Sequence, residues 1–355
     1  MNTVKTPNAR ADNTKAAPVH FVSTINYLNS PAFAARARLI KRPSPGQLRD
    51  ALSIIWRVLQ AARHEDIMLL ASSWGHIHPD LLSAAIMGLM PRQMRPRILM
   101  LGCMWEPNTG FRGAIERRVI KMANRAVDRF LVQSSEELTI FPQIWQISPE
   151  KVRFCPFFYE LSDAEINAEV DVPVGQYVFA GGNSHRDYEP LVEAARALPD
   201  LQFILATRLL NGRTNLPTNI QAGPVSHNEY MGLLRNSAAN IVAIQPGLRR
   251  AAGQRTYLNS MWLRKPTLVT DTLGVHDHIR HMETGLIVDG SSQGYVDALN
   301  WVLNPHNREA VQRLEHQAHQ AVQENFTLET HVNRLLYLID DMICETYDKA
   351  DNISQ

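Results

Sequence analysis

The chain has 355 residues, 45% hydrophobic and 20% charged, with a net charge of +1, long enough for two domains with separate cores. Its three cysteines (Cys103, Cys155 and Cys344) are widely spaced and exclude a disulfide framework, so a reducing compartment is expected. The longest apolar run, residues 81–90, excludes a bilayer span, and residues 1–17 read as a polar tail without a signal peptide. Charge is uneven: residues 18–157 carry +8 and residues 158–325 carry −5, so only the first half is expected to meet an anionic partner.

In chain order, "VHFVST" predicts an opening strand, followed by an irregular basic stretch through residue 45. A helix is predicted over 46–63, with Leu48, Leu52, Ile55 and Leu59 as its apolar face. "DIMLLASS" reads as a strand, and "WGHIHPDLLSAAIMGLM" as a helix with Pro79 in its first turn. "RPRILMLG" is another strand, then come the loop "CMWEPNTG" and the helix "FRGAIERRVIKMANRAV". "DRFLVQSS" is a strand, "EELTIFPQIWQ" starts as a helix that Pro142 breaks, and "EKVRFCPFF" closes the half. Alternating strands and helices argue for a parallel sheet with crossover helices.

Two places in this half have the residue types for chemistry. "HIHPD" sets His76, His78 and Asp80 at alternate positions after a strand, a spacing that echoes the zinc clusters of hydrolases. A histidine directly after the aspartate would strengthen that reading, and the position is Leu81, so an acceptor-side or structural role is preferred. In "GCMWEPN", Trp105 and Glu106 follow a strand's carboxyl end and are expected to face a cleft; the alternative for Glu106 is a surface carboxylate balancing Arg112. The helix 111–125 carries Arg112, Arg117, Arg118, Lys121 and Arg125 among apolar residues, which suits an anionic membrane surface or a solvated face.

In the second half, "QYVFAGGNSHRDYEPLVEAARAL" reads as strand, glycine pair, polar loop and helix. Gly181 and Gly182 let backbone N–H groups approach a ligand, and Arg186 reaches a diphosphate from the loop. GxGxxG is absent, which weakens a nicotinamide reading. "LQFILATR", "NIQAGPVSHNEYMGLLRNS" and "ANIVAIQP" supply a strand, a strand with a short helix, and a further strand. Then comes "GQRTYLNSMWLRKPTLVTDTLGVHDHIRHMETGLIV": Gly253, the donors Gln254, Arg255 and Thr256, a helix, a buried strand and a Gly274 turn. "HDHIRH" invites a second metal reading, set aside in favour of a turn before the final strand. Segments 293–302, 306–324 and the end of the chain are predicted helical.

The stretch from Gly253 to Val288, together with Gly181–Arg186, resembles the nucleotide-sugar half of glycosyltransferases with two Rossmann-like domains, the GT-B architecture, and most closely the retaining family 4. The resemblance covers roughly residues 18–345. It implies an α/β fold with a tail (1–17), an acceptor-side domain (18–157), a linker (158–173) and a nucleotide-sugar domain (174–325). A helix over 326–347 would cross back to the first domain, before a tail at 348–355. It places Asn183 where the family has an arginine and Arg186 where it has a lysine, and lets Val225 read the base through backbone contacts. The family's paired glutamates fall on Ala251, which cannot contact a sugar through a charge, and Asn259, which can bond a ribose hydroxyl. Glu106 stands in for an acceptor-contacting histidine.

The function expected on this resemblance is transfer of a sugar from a nucleotide diphosphate sugar to a glycan, lipid-linked or small-molecule acceptor, with retention and without metal or other cofactor. Gly182 N–H, Arg186, Gln254 and the other donors at 253–256 would stabilise the leaving pyrophosphate. The protein is expected in the cytoplasm, peripheral at the inner face of the membrane, without a nucleic-acid partner. A non-hydrolysing nucleotide-sugar epimerase, a catalytically silent binding protein and a zinc hydrolase built on "HIHPD" stay open.

Overall fold

The computed structural model describes residues 19–42, 48–72, 78–167 and 171–353. Its first sheet holds β1 (Phe21–Ser23), β2 (Ala37–Leu39), β3 (Ile67–Ala71), β4 (Arg97–Leu101), β5 (Arg129–Val132) and β6 (Val152–Phe154). With them run α1 (Pro31–Ala34), α2 (Leu48–Ala61), α3 (Pro79–Met87), α4 (Gly110–Ala123) and α5 (Glu137–Trp145). After α6 (Asp163–Asn167) come β7 (Tyr177–Gly181), α7 (Glu189–Ala197), β8 (Gln202–Ala206), β9 (Ile220–Gly223), α8 (His227–Asn236) and β10 (Ala239–Val242). α9 (Gln254–Trp262), β11 (Thr267–Thr270), β12 (Leu286–Val288), α10 (Ser292–Leu303), α11 (Arg308–Asn325) and α12 (Leu328–Ile353) complete the chain.

Both six-stranded sheets are parallel throughout, in the orders β2-β1-β3-β4-β5-β6 and β12-β11-β10-β7-β8-β9. Strand order therefore reverses beside β1 in the first sheet and between β7 and β10 in the second. Those reversal points are where open α/β sheets leave a crevice for ligands. The strands are apolar runs because both faces are covered. In β7, Val178 and Ala180 pack toward α7 and α10, while Tyr177 and Phe179 pack toward α8. In the first sheet one face lies under α2, α3, α4 and α5. The other receives Val332, Leu335 and Ile339 of α12, so the last helix does return to the first domain.

Four local expectations change. The basic stretch after β1 contains α1 and the edge strand β2, both too short for a periodic signal. On α2 the buried residues are Ala51, Ile54 and Val58, while Leu48 is 65% exposed and Leu52 is also exposed. The helix carries two adjacent apolar stripes, and packing against α3 and the sheet selects the narrower one. Pro142 lies inside α5 without breaking it, since the carbonyl that loses its partner belongs to the exposed Leu138. Trp105 does not face the cleft: it is buried in the core against Phe130, Phe141 and Trp145.

Candidate active site

The second sheet's reversal point is built from two glycine turns. Gly181 ends β7 in contact with the Tyr230 ring, where a Cβ would stand 2.3 Å from a ring carbon. Gly182 follows at φ +117°, a conformation that favours glycine. Its N–H is not available to a ligand, because it donates to the Ala206 carbonyl at 3.1 Å; this corrects the expected role of that group. Across the crevice, Gly253 caps α9 at φ +78° and packs on Val242 and Ile244, which aims the first turn of α9 at the β7 loop. The N–H groups of Gln254 and Arg255 have no intrahelical acceptor and carry the positive end of the helix dipole.

Arg186 spans the two turns. Its Nη1 donates to the Ser184 carbonyl at 3.0 Å, its Nη2 to the Thr256 hydroxyl at 3.2 Å, and its backbone pairs with Ile244. Among the described residues no carboxylate forms an ion pair with it, so a half-buried cation stands uncompensated at the crevice. Burial, and then the nearby Arg250 and Arg186 charges, hold the His185 imidazole below its ordinary value. The same field suits a diphosphate.

Other expected residues have different work. Asn183 accepts from Arg208 N at 2.7 Å and from the Thr207 hydroxyl at 3.1 Å, so it ties the β7 and β8 loops together. Arg255 is paired with Glu160, so its charge is partly answered within the fold. Asn259 is buried and spends one acceptor site and one N–H of its amide on Glu160, accepting from N at 2.9 Å and donating to O at 3.3 Å. Val225 is half-buried beside the Tyr177 and Phe179 cluster.

The loops of the two domains meet directly. Gln254 is buried and donates to the Gln133 carbonyl of the first domain at 2.8 Å. Glu106 lies at this seam, accepting from Arg249 N at 3.3 Å. Glu136 accepts from Gly274 N at 2.8 Å, and Asp277 accepts from the backbone and hydroxyl of Ser135 at 2.8 and 2.6 Å. Glu137, absent from the sequence reading, accepts from Gln133 N and Ala251 N. Arg250 was missed too, although it precedes the Gly253 turn by only three positions; its guanidinium lies in the field of Glu106 and Glu137.

The "HIHPD" residues do not assemble a metal centre. His76 lies outside the described residues. His78 precedes α3 and pairs with the Ser72 carbonyl at 3.1 Å, whereas Asp80 is buried against Arg42, Thr24 and Ala71 N. In "HDHIRH", His276 pairs with Asp271, His278 with Tyr257, and His281 accepts from Ile287 N. Among the described residues no group of three His, Cys, Asp or Glu could hold a metal ion.

Two parallel six-stranded sheets, with the last helix returning to the first, make up the GT-B architecture of two Rossmann-like domains. Solved structures give that architecture specific company. HepE of Anabaena in complex with UDP matches with a TM-score of 0.64 and 14% identity, over 91% of this chain and 99% of that chain. A glycosyltransferase from Rickettsia africae ESF-5 matches with a TM-score of 0.60 and 14% identity, over 92% and 90%. Sucrose-phosphate synthase from Thermosynechococcus elongatus matches at 0.63 and 15%, over 88% and 84%. At these identities the likeness is one of fold. No family model matches the chain, and no curated protein matches it in sequence.

Proposed function

We propose that the protein is a glycosyltransferase that takes a sugar from a nucleoside diphosphate sugar and passes it, with retention and without metal, to a glycan, lipid-linked or small-molecule acceptor. The observation that carries this is Arg186, an uncompensated cation between the Gly182 turn and Thr256 at the start of α9. A pyrophosphate set there is neutralised by the guanidinium and the helix N-terminus as the bond to the sugar breaks. HepE of Anabaena, of the same fold, was solved with UDP and with UDP-glucose, which supports a uridine donor. A thermal-shift series tests the reading: UDP at 100 times its dissociation constant stabilises by about 2.7 kcal/mol. NAD and zinc leave the melting temperature unchanged. No shift with any nucleoside diphosphate at millimolar concentration would falsify it.

The first domain is read as peripheral on an anionic membrane. A groove of 760 Å³ beside α4 is lined by Arg117, Arg118, Lys121 and Arg125 together with Leu89 and Ile144. Phe111, 81% exposed, and Ile115 rise from the same helix. Leu48, Leu52 and Trp56 stand exposed on α2, in the same helical layer. Cations beside exposed large apolar side chains suit a headgroup surface. No described helix is long and apolar enough to cross a membrane.

A further inference from the structure

The seam between the domains buries a carboxylate of the first domain against the backbone of Ala251 in the second. Glu137, in the first turn of α5, is 1% exposed. Its Oε2 accepts from Gln133 N at 3.2 Å and its Oε1 from Ala251 N at 3.4 Å. The backbone N–H groups of Ala251, Gln133 and Ser134 all favour its ionised form, Ala251 most strongly. Around it, Gln254 bonds the Gln133 carbonyl, and Arg250 donates to the Ala251 carbonyl at 3.2 Å while lying in the field of Glu106 and Glu137. These groups collect at the carboxyl ends of β5 and β10, where the two sheets face each other.

Two polar atoms of this cluster, Gln133 Oε1 and Arg250 Nε, are buried without a hydrogen-bond partner. Orphaned groups of this kind are rare and call for an explanation. One lacks a donor and the other an acceptor, and a ligand rich in hydroxyls supplies both. What sets this pair apart from the other orphaned atoms, such as Arg95 Nε and Arg129 Nε, is that both lie on the seam beside the start of α9.

We propose that Glu137 reaches across from the first domain to bind hydroxyls of the transferred sugar, in place of the carboxylate that position 251 lacks. This rests on the reading of the protein as a nucleotide-sugar transferase. As the domains part along the seam, the long Ala251 bond is exchanged for a sugar hydroxyl, and Gln133 Oε1 and Arg250 Nε take the neighbouring ones. Burial pushes the Glu137 carboxyl up to about 7. The Ala251, Gln133 and Ser134 N–H groups oppose that shift, and Arg250 does so after them; Glu106, Glu136 and Asp277 are the other charged groups at the seam, each on a backbone N–H of the facing domain. Sugar hydroxyls donate best to the ionised form.

Calorimetry with UDP and with UDP-glucose, UDP-galactose and UDP-N-acetylglucosamine, on wild type and Glu137→Gln, decides the matter. The expected result is unchanged affinity for UDP and a loss of about tenfold for the best UDP-sugar, the scale of one charged hydrogen bond. Wild-type UDP-sugar affinity should fall between pH 8 and pH 6 relative to that for UDP, and the variant should be flat. Equal weakening of UDP and UDP-sugar assigns Glu137 to holding the domains together and overturns the proposal, as does an unchanged ratio. If Glu137→Gln does not fold, Glu137→Asp keeps the charge with a shorter reach and must lose the sugar contribution while keeping UDP. Failure of wild type to bind UDP at all would instead strike the transferase reading.

Discussion

The two sheets treat their reversal points in opposite ways. Beside β1, Asp80 is buried and its carboxylate takes bonds from Arg42, the Thr24 hydroxyl and Ala71 N. Burial raises its pKa, and Arg42 is the largest influence in the other direction. Between β7 and β10, Arg186 has only carbonyls and a hydroxyl for partners. One crevice pairs its charge with an opposite one, although Asp80 Oδ1 and Arg42 Nε keep no hydrogen-bond partner, and the other leaves a cation without a carboxylate. Removing one partner of the buried pair leaves the other charge unanswered, whereas the lone cation is open to an anion.

Mutation of each side breaks this comparison if it is wrong. Asp80→Ala leaves Arg42 buried without its anion and is expected to cost about 3–5 kcal/mol of stability, read from urea unfolding. UDP affinity of the folded fraction should not change. A loss under about 1 kcal/mol would mean that the cluster is solvated and its burial incidental.

The seam gives the next largest effect, through pH. Glu137 has a folded-state pKa of about 7, raised above the ordinary 4.5 by burial. Its contribution to stability is therefore fully present below pH 4.5 and is lost as pH rises through 7, by about 3 kcal/mol. Glu137→Gln should remove that slope from the stability profile between pH 5 and 7.5. An unaltered slope would locate the titration elsewhere.

On the ligand side, Arg186→Ala should weaken UDP binding by about 1.5–3 kcal/mol, the scale of hydrogen bonds to a charged group, measured by calorimetry. Retained affinity would mean that the loop faces away from the ligand. The contrast with Asp80 sharpens if the two variants separate cleanly, one in unfolding and the other in binding.

Smaller effects belong to groups at the edge of the comparison. Arg117→Glu with Arg118→Glu should release the protein from anionic vesicles, each cation contributing about 1 kcal/mol at low salt. Binding that ignores both charge reversal and salt would return α4 to an ordinary solvated face. Asn259→Ala should cost about 1 kcal/mol in unfolding, because Glu160 loses both amide bonds, and should leave UDP affinity intact. A drop in UDP affinity would show that Asn259 leaves the linker when ligand arrives.

The sequence by itself determined the alternating α/β order, and with it two parallel sheets, because strands buried on both faces must be apolar runs and crossover helices must be amphipathic. It also located the Gly182 and Gly253 turns and Arg186, since glycines before helices are local signals that need no distant partner. It could not say which apolar stripe of α2 is buried: Leu48 and Leu52 are as apolar as Ile54 and Val58, and only α3 and the sheet choose between them. Nor could it see that Trp105 turns into the core, or that Arg255 and Asn259 are bonded to Glu160, about a hundred residues earlier in the chain. Glu137 was invisible for the same reason. A glutamate at a helix start looks like any other until Ala251, 114 positions away, is folded against it, and its long-range partner and burial decide its charge.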